Sequence, residues 1–483
     1  MNPNILADRV ARSGVAFGTS GARGLVVDMT DELCYAYASA FLQTVARGAT
    51  TLVLGHDLRP SSPRMAAACA AAAAAHGAQV IYAGALPTPA LAYYAEQLRV
   101  PALVITGSHI PFDRNGIKFY RADGEISKAD EQAMLAATVA VPATLALADL
   151  PAPDVLVAQA YVQRYTEFFG TTALAGLRVA VYEHSSVGRD IIGQILRALG
   201  AQVLPLGRTD VFVPIDTEAV RPEDIAQAQV WAAEHRFDAI VSTDGDADRP
   251  LLGDECGQWL RGDVVGILCA QFLRAQVVVT PVSSNTALEK SGAFAQVLRT
   301  RIGSPYVIAG MDAALAAQAQ GISLPGGPVV GFEANGGFLL ASDVLRHGRN
   351  LAALPTRDAV LPMLALLSLA RQRGCQLSEL CADLPKRFTA SDRLQAFATD
   401  KSRSLIQNLL ADSALMANTL APGSGAVTQV DQTDGLRVTF ANQDIAHLRP
   451  SGNAPELRCY AESVTVEAAK ALCDACLATV KGL

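Results

Sequence analysis

Four polar or glycine-rich clusters interrupt the apolar stretches of this 483-residue chain, and a fifth lies near its N-terminus. The first is Thr106-Gly107-Ser108-His109-Ile110-Pro111, directly after the apolar run Ala102 to Ile105. A serine at a strand end is placed for nucleophilic work, and His109 and nearby Lys118 can handle its proton or stabilise an anion. A serine-hydrolase elbow needs G-x-S-x-G, and Ile110 stands where the second glycine belongs. The alternative for this segment is a polar turn, with Asn115-Gly116 making a hairpin. The second cluster, Asp244-Gly245-Asp246-Ala247-Asp248-Arg249, again follows an apolar run. Three carboxylates at alternate positions repel one another unless a hard cation neutralises them, and Mg²⁺ prefers oxygen ligands of this type. An EF-hand reading, with Glu255 at its twelfth position, fails because Arg249 replaces the glycine required at the sixth. A solvated acidic turn is the remaining alternative.

The third cluster is Gly331-Phe332-Glu333-Ala334-Asn335-Gly336-Gly337, where Glu333 and Asn335 alternate and can face neighbouring hydroxyls of a sugar. The fourth is Arg449-Pro450-Ser451-Gly452-Asn453-Ala454-Pro455. Arginine offers a planar fork to phosphate, and Ser451, Asn453 and freed backbone N–H groups, as at Gly452, can surround the other oxygens. The fifth element, from Phe17 to Gly24 and including Arg23, lacks the Gly-Lys-Ser/Thr ending of a nucleotide P-loop, so ATP binding is not supported.

The elements that must position these clusters alternate between β-rich runs and helical patterns, the signature of α/β domains with largely parallel sheets. Strands are expected over 51–54, 79–82 and 102–106, with helices over 61–76 and 89–97. The rhythm repeats with strands over 177–182, 202–206 and 238–242 and helices over 189–199 and 222–235. It continues with helices over 264–272 and 304–319 and strands over 276–280 and 329–332. Gly77-Ala78-Gln79-Val80 recurs as Gly200-Ala201-Gln202-Val203, with a fainter echo at Ala275-Gln276-Val277. The tail from about 387 reads as a helix, a Pro422-Gly423-Ser424-Gly425 turn, strands near 429 and 436–440, a loop and a final helix, which suggests a smaller α+β domain. Expected domains are 1–150, 151–256, 257–375 and 376–483, with the Pro- and Ala-rich stretch 142–153 as the first linker.

Hydrophobic residues make up 51% and charged residues 18%, which excludes disordered and collagen-like chains. A net charge of −7 without a basic run argues against nucleic acid as a partner, yet leaves room for a locally basic cleft. The apolar runs 65–75 and 359–370 fall short of the roughly 20 residues that a membrane span needs. No apolar signal-peptide core follows Asp8, Arg9 and Arg12, so a cytoplasmic location is expected. Nine cysteines, an odd number, point to reduced thiols, and the Cys473/Cys476 pair to helix packing. The sequence carries no signal of oligomeric state.

Taken in order from Phe17 to Tyr460, the five clusters resemble the α-D-phosphohexomutase superfamily, the bacterial phosphomannomutase/phosphoglucomutase type. The resemblance implies three related α/β domains with mixed, largely parallel sheets and a C-terminal α+β domain, all around a central cleft. It implies that Ser108 is the phosphorylated serine and that Asp244, Asp246 and Asp248, with the seryl phosphate on Ser108, bind Mg²⁺. Arg23, His109, Lys118 and Arg249 then line the transfer site, with Lys118 handling protons and the two arginines stabilising charge. Glu333 and Asn335 occupy the sugar loop, and Arg449, Ser451, Gly452 and Asn453 grip the substrate's own phosphate. The chain departs from the family's usual pattern at Ile110, Ser304, Asn335 and Ala454, which bears on substrate choice. The implied reaction interconverts mannose 6-phosphate and mannose 1-phosphate, with hexose 1,6-bisphosphate as intermediate and activator. Glucose or glucosamine phosphates are the alternative substrates. A Mg²⁺-dependent phosphatase and a non-catalytic sugar-phosphate-binding protein are the alternatives of other classes.

Overall fold

The computed structural model describes residues 2–18, 21–321, 324–451 and 456–482. The chain folds into two compact units, one of Met1–Arg274 with Asn335–Leu380, the other of Ala275–Ala334 with Cys381–Leu483.

The first unit holds two sheets that follow the expected rhythm. In one, Thr51–His56 lies between Ala102–Ile105 and Gln79–Ala85, parallel to both, and Arg114–Arg121 pairs antiparallel with Ala102–Ile105. Helices cover both faces of this sheet, which is why Leu52, Val53 and Leu54 are all fully buried and read as one apolar run. In the other, Arg178–Tyr182 lies parallel to Gln202–Leu206 and Ala239–Thr243, and Pro250–Gly253 adds an antiparallel edge. The helix Ser62–Ala75 starts with Pro63 in its first turn and its small side chains pack against the helix Asp31–Thr44. It passes through Gly77, at φ +75°, into the strand from Gln79. Gly200, at φ +93°, does the same for the strand from Gln202, so the four-residue repeat is a shared helix stop. In the fainter echo before Val277 the left-handed residue is Arg274, at φ +55°.

Asn115 and Gly116 do not make a hairpin. Both lie inside the strand Arg114–Arg121, where Asn115 Nδ2 donates to Ser61 Oγ and Ser62 Oγ at 2.8 and 2.9 Å. A Cβ on Gly116 would meet the Ala22 carbonyl at 2.4 Å, so this glycine serves close strand approach. The stretch 142–153 has no regular secondary structure, and Leu145, Leu147 and Leu150 pack against the core of the first unit.

In the second unit, Val277–Pro281 is central and parallel to Gln296–Thr300 and Val329–Phe332. Its C-terminal part is a five-stranded antiparallel sheet backed by the helix Val466–Lys481, the α+β arrangement expected of the tail. Three strands there were not expected: Phe388–Leu394, Leu457–Ser463, and Ile445–Pro450, which carries Arg449 where a loop was read. Cys473 and Cys476 are buried in that core as packing residues, and none of the nine cysteines is in a disulfide. Among the described residues no helix is long and apolar enough to cross a membrane.

Candidate active site

Ser108 sits at the carboxyl end of Ala102–Ile105, fully buried and with φ at +54°. For a side chain with a Cβ this left-handed backbone costs on the order of 1–3 kcal/mol, so neighbouring contacts must hold it. Arg59 supplies most of them. Its Nη2 donates to the carbonyls of Ser108 (2.9 Å) and Ile110 (2.6 Å), and its Nη1 to those of Pro111 (2.8 Å) and Arg114 (3.0 Å). Asp57 in turn fixes Arg59 Nε at 3.1 Å and accepts from Thr106 Oγ1 and the Gly107 N–H. Gly107 is required by this arrangement, because a Cβ there would meet Arg59 Nε at 2.6 Å.

The aspartate loop leaves the carboxyl end of Ala239–Thr243 and comes to Ser108. Ser108 Oγ donates to Asp244 Oδ2 at 2.7 Å, and a Cβ on Gly245 would meet the Ser108 carbonyl at 2.8 Å. Asp244, Asp246 and Asp248 are all buried, and each offers an oxygen within 4.8 Å of the others'. Lys118 Nζ donates to Oδ2 of both Asp246 and Asp248 at 2.6 Å, and Thr88 Oγ1 adds a bond to Asp246 Oδ2 at 2.7 Å. Arg357 reaches Asp248 Oδ2 with Nε at 3.0 Å and Nη2 at 2.8 Å. Lys118 and Arg357 therefore hydrogen-bond to Oδ2 of Asp246 or Asp248, while Oδ1 of each is buried without a hydrogen-bond partner among the described residues, with Arg249 Nε 3.7 Å from Asp248 Oδ1. Two orphaned carboxylate oxygens beside a third carboxylate fit a hard divalent cation.

The electrostatics follow from burial and these neighbours. Burial and the charges of Asp246 and Asp248 push the Asp244 carboxyl well above its ordinary value. Burial also opposes ionisation of Asp248, but Arg357, Lys118 and Arg249 outweigh it and hold the group below its usual range. Asp246 is held low against burial and Asp248 by Lys118 and Thr88. Burial and the Arg249 charge drive His109 down to about 2. His109 is thus neutral, and its Nδ1, 2.8 Å from Arg249 Nη1 and 3.3 Å from Ser108 Oγ, accepts from the guanidinium. Ser108 Oγ lies closer to Asp244 Oδ2, at 2.7 Å, than to His109 Nδ1. Burial and Arg249 lower Arg23 to about 10, and Arg23 Nε is buried without a partner among the described residues.

The first unit thus brings together Ser108, His109, Lys118, Arg23, Arg249 and the three aspartates. Asn335 is in the same unit, and its Oδ1 accepts from the Gly337 N–H at 2.9 Å. In the second unit Glu333 lies buried at the carboxyl end of Val329–Phe332. Arg449, whose Nε pairs with Asp434 at 2.8 Å, and Ser451 line an open cavity of about 410 Å³ together with Arg301, Arg403 and Tyr306. Gly452 and Asn453 lie outside the described residues. Sequence reasoning missed Asp57, Arg59, Thr88 and Arg357. The signal for the first two was present, since His56-Asp57-Leu58-Arg59-Pro60 also follows an apolar strand.

Four segments match the phosphoglucomutase/phosphomannomutase family: alpha/beta/alpha domain I over 14–141, domain II over 159–257, domain III over 261–388 and the C-terminal domain over 393–478. Similar relatives include a phosphomannomutase of Salmonella muenchen, 47% identical over 98% of this chain and 97% of that one. Another is a phosphomannomutase of Sinorhizobium fredii, 45% identical over 95% of this chain and 97% of that one. Among solved structures, a phosphoglucomutase/phosphomannomutase family protein of Burkholderia thailandensis shares the fold at a TM-score of 0.73 and 20% identity, over 96% of this chain and 97% of that one. With all four family segments in order along it, the chain belongs to the phosphoglucomutase/phosphomannomutase family of the α-D-phosphohexomutase superfamily.

Proposed function

We propose that this enzyme is a phosphomannomutase that interconverts mannose 6-phosphate and mannose 1-phosphate through phosphoserine 108. The observation that carries the reading is the buried Ser108 Oγ at 2.7 Å from Asp244, within a ring of three carboxylates and their cations. The near-full-length identity to phosphomannomutases supports mannose over glucose or glucosamine phosphates. The four-domain division at about 150, 256 and 375 and a cytoplasmic location belong to the same proposal, the latter supported by nine cysteines outside any disulfide.

In the forward direction the phosphorus–Oγ bond of phosphoserine 108 breaks as phosphorus bonds to O1 of mannose 6-phosphate, giving mannose 1,6-bisphosphate. The bisphosphate turns end for end. Ser108 Oγ then takes the phosphoryl group from O6, and mannose 1-phosphate leaves. Each half-reaction moves one proton from the attacking to the departing oxygen. We assign that transfer to Lys118, with Asp244 at the serine end, where Ser108 Oγ already donates. Phosphoryl transfer of this kind rests on position and charge, so Arg23 and Arg249 act as fixed cations and His109 as the acceptor that orients Arg249. Asp244, Asp246 and Asp248 with the seryl oxygen would hold Mg²⁺, which when bound supplies charge neutralisation at the phosphoryl group. Glu333 and Asn335 are assigned to the sugar hydroxyls, and Arg449, Ser451, Gly452 and Asn453 to the phosphate that is not being transferred.

Intact-mass measurement tests the reading. Incubation with mannose 1,6-bisphosphate is expected to add about 80 Da at Ser108, and Ser108→Ala to abolish the adduct. Absence of an adduct in the unsubstituted protein would favour the non-catalytic alternative, and release of inorganic phosphate without isomerised product the phosphatase.

A further inference from the structure

Arg357 is the penultimate residue of the strand Leu354–Asp358, is only 2% exposed, and directs both Nε and Nη2 to one oxygen, Asp248 Oδ2. The backbone on either side of it is pinned. Thr356 Oγ1 donates to Glu125 at 2.9 Å and lies 3.2 Å from Tyr120 Oη. Asp358 accepts from Tyr161 Oη at 2.7 Å, from Tyr165 Oη, and from the Val360 N–H at 2.9 Å. The path of the side chain is also prepared, because a Cβ on Gly337 would stand 2.6 Å from Arg357 Cδ and 2.9 Å from its Cγ. The second glycine of the Glu-Ala-Asn-Gly-Gly cluster therefore makes room for an arginine distant in sequence. A guanidinium stays charged at any pH the protein meets, so this cation is a permanent part of the carboxylate cluster.

From this geometry we infer that Arg357 is a positioning residue that acts through Asp248 as a built-in counter-ion of the aspartate cluster, and that its charge weakens the cluster's hold on a divalent cation. Arg357 and Lys118 keep Oδ2 of Asp248 occupied, which compensates the buried carboxylates when no metal is bound and leaves the orphaned Oδ1 atoms for one. A fixed positive charge at one remove from the metal position opposes binding of a second, doubly charged cation. The inference rests on the assignment of Asp244, Asp246 and Asp248 to Mg²⁺.

Titration of the full chain with Mg²⁺ alone, read by calorimetry and by thermal melting, tests it. In Arg357→Gln the metal-free protein is expected to melt lower, while Mg²⁺ binds at least about tenfold more tightly and raises the melting temperature more than in the unsubstituted protein. Gly337→Ala, which displaces the guanidinium, is expected to move both readouts in the same direction. Arg357→Lys keeps the charge and is expected to stay within about threefold of the original affinity. Weaker Mg²⁺ binding in Arg357→Gln, or a loss beyond about tenfold in Arg357→Lys, would mean that geometry rather than charge is what Arg357 supplies, and would overturn the inference. Should Arg357→Gln fail to fold even in Mg²⁺, the lysine and Gly337→Ala variants decide by the same criteria. No Mg²⁺ binding in the unsubstituted protein would instead remove the metal assignment itself.

Discussion

The two clusters of basic residues in this protein are built on opposite principles. Around Ser108 the cations are buried and tied to carboxylates: Lys118 is 3% and Arg357 2% exposed, and both hold Asp248. Around the 410 Å³ cavity of the second unit Arg301 and Arg403 stand in solvent, 57% and 72% exposed, while Arg449, 20% exposed, pairs with Asp434. The first arrangement cannot relax easily, which suits stabilisation of charge that appears only during transfer. The second leaves side chains free to close on a phosphate and to let it go, which suits binding that must be reversed at every turnover.

Substitutions can break or sharpen this contrast. Ser108→Ala is expected to abolish conversion of mannose 6-phosphate, a loss of at least about a thousandfold in kcat, while the melting temperature stays close to that of the parent. Lys118→Met should reduce kcat by roughly two to three orders of magnitude and, unlike Ser108→Ala, lower stability by about 3–5 kcal/mol in urea unfolding, because two buried carboxylates lose a shared partner. Arg449→Ala should raise KM by about 10–100-fold with a smaller change in kcat and little change in urea midpoint, as expected for a charged hydrogen bond to a ligand. Arg403→Ala, at the solvent edge of the same cavity, should raise KM by no more than about threefold. An equal fall in kcat for Arg403→Ala and Lys118→Met would erase the distinction between the two clusters.

Much of this organisation is legible in the sequence because the chemistry sits at strand ends. The apolar runs before Ser108, Asp244 and Glu333 form parallel strands, and the polar residues after them emerge at the carboxyl edges. Arg357 was not legible for the opposite reason. It belongs to a strand rather than to a loop after one, and the pleat and pairing of Leu354–Asp358 with Phe338–Leu340 bring it to Asp248 across a sequence distance no local pattern reports. Asn115-Gly116 misled because that dipeptide has the composition of a turn, whereas Ala22 and Ser62 require a small residue and an amide in a strand. The strand Ile445–Pro450 escaped notice because His447 breaks its apolar run, yet His447 is buried with Nε2 on the Asp434 carbonyl.

In the proposed reaction the left-handed backbone at residue 108 also bears on which amino acid can be the phosphoryl carrier. Threonine bears the same hydroxyl and accepts the same group, but a β-branched side chain at φ +54° is a steric outlier, several times harder to accommodate than serine. A threonine carrier would have to straighten the loop, and with it move the carbonyl that Arg59 grips and the oxygen that Asp244 meets. In the proposed reaction the carrier is thus selected by the shape of the main chain before any difference in hydroxyl reactivity enters.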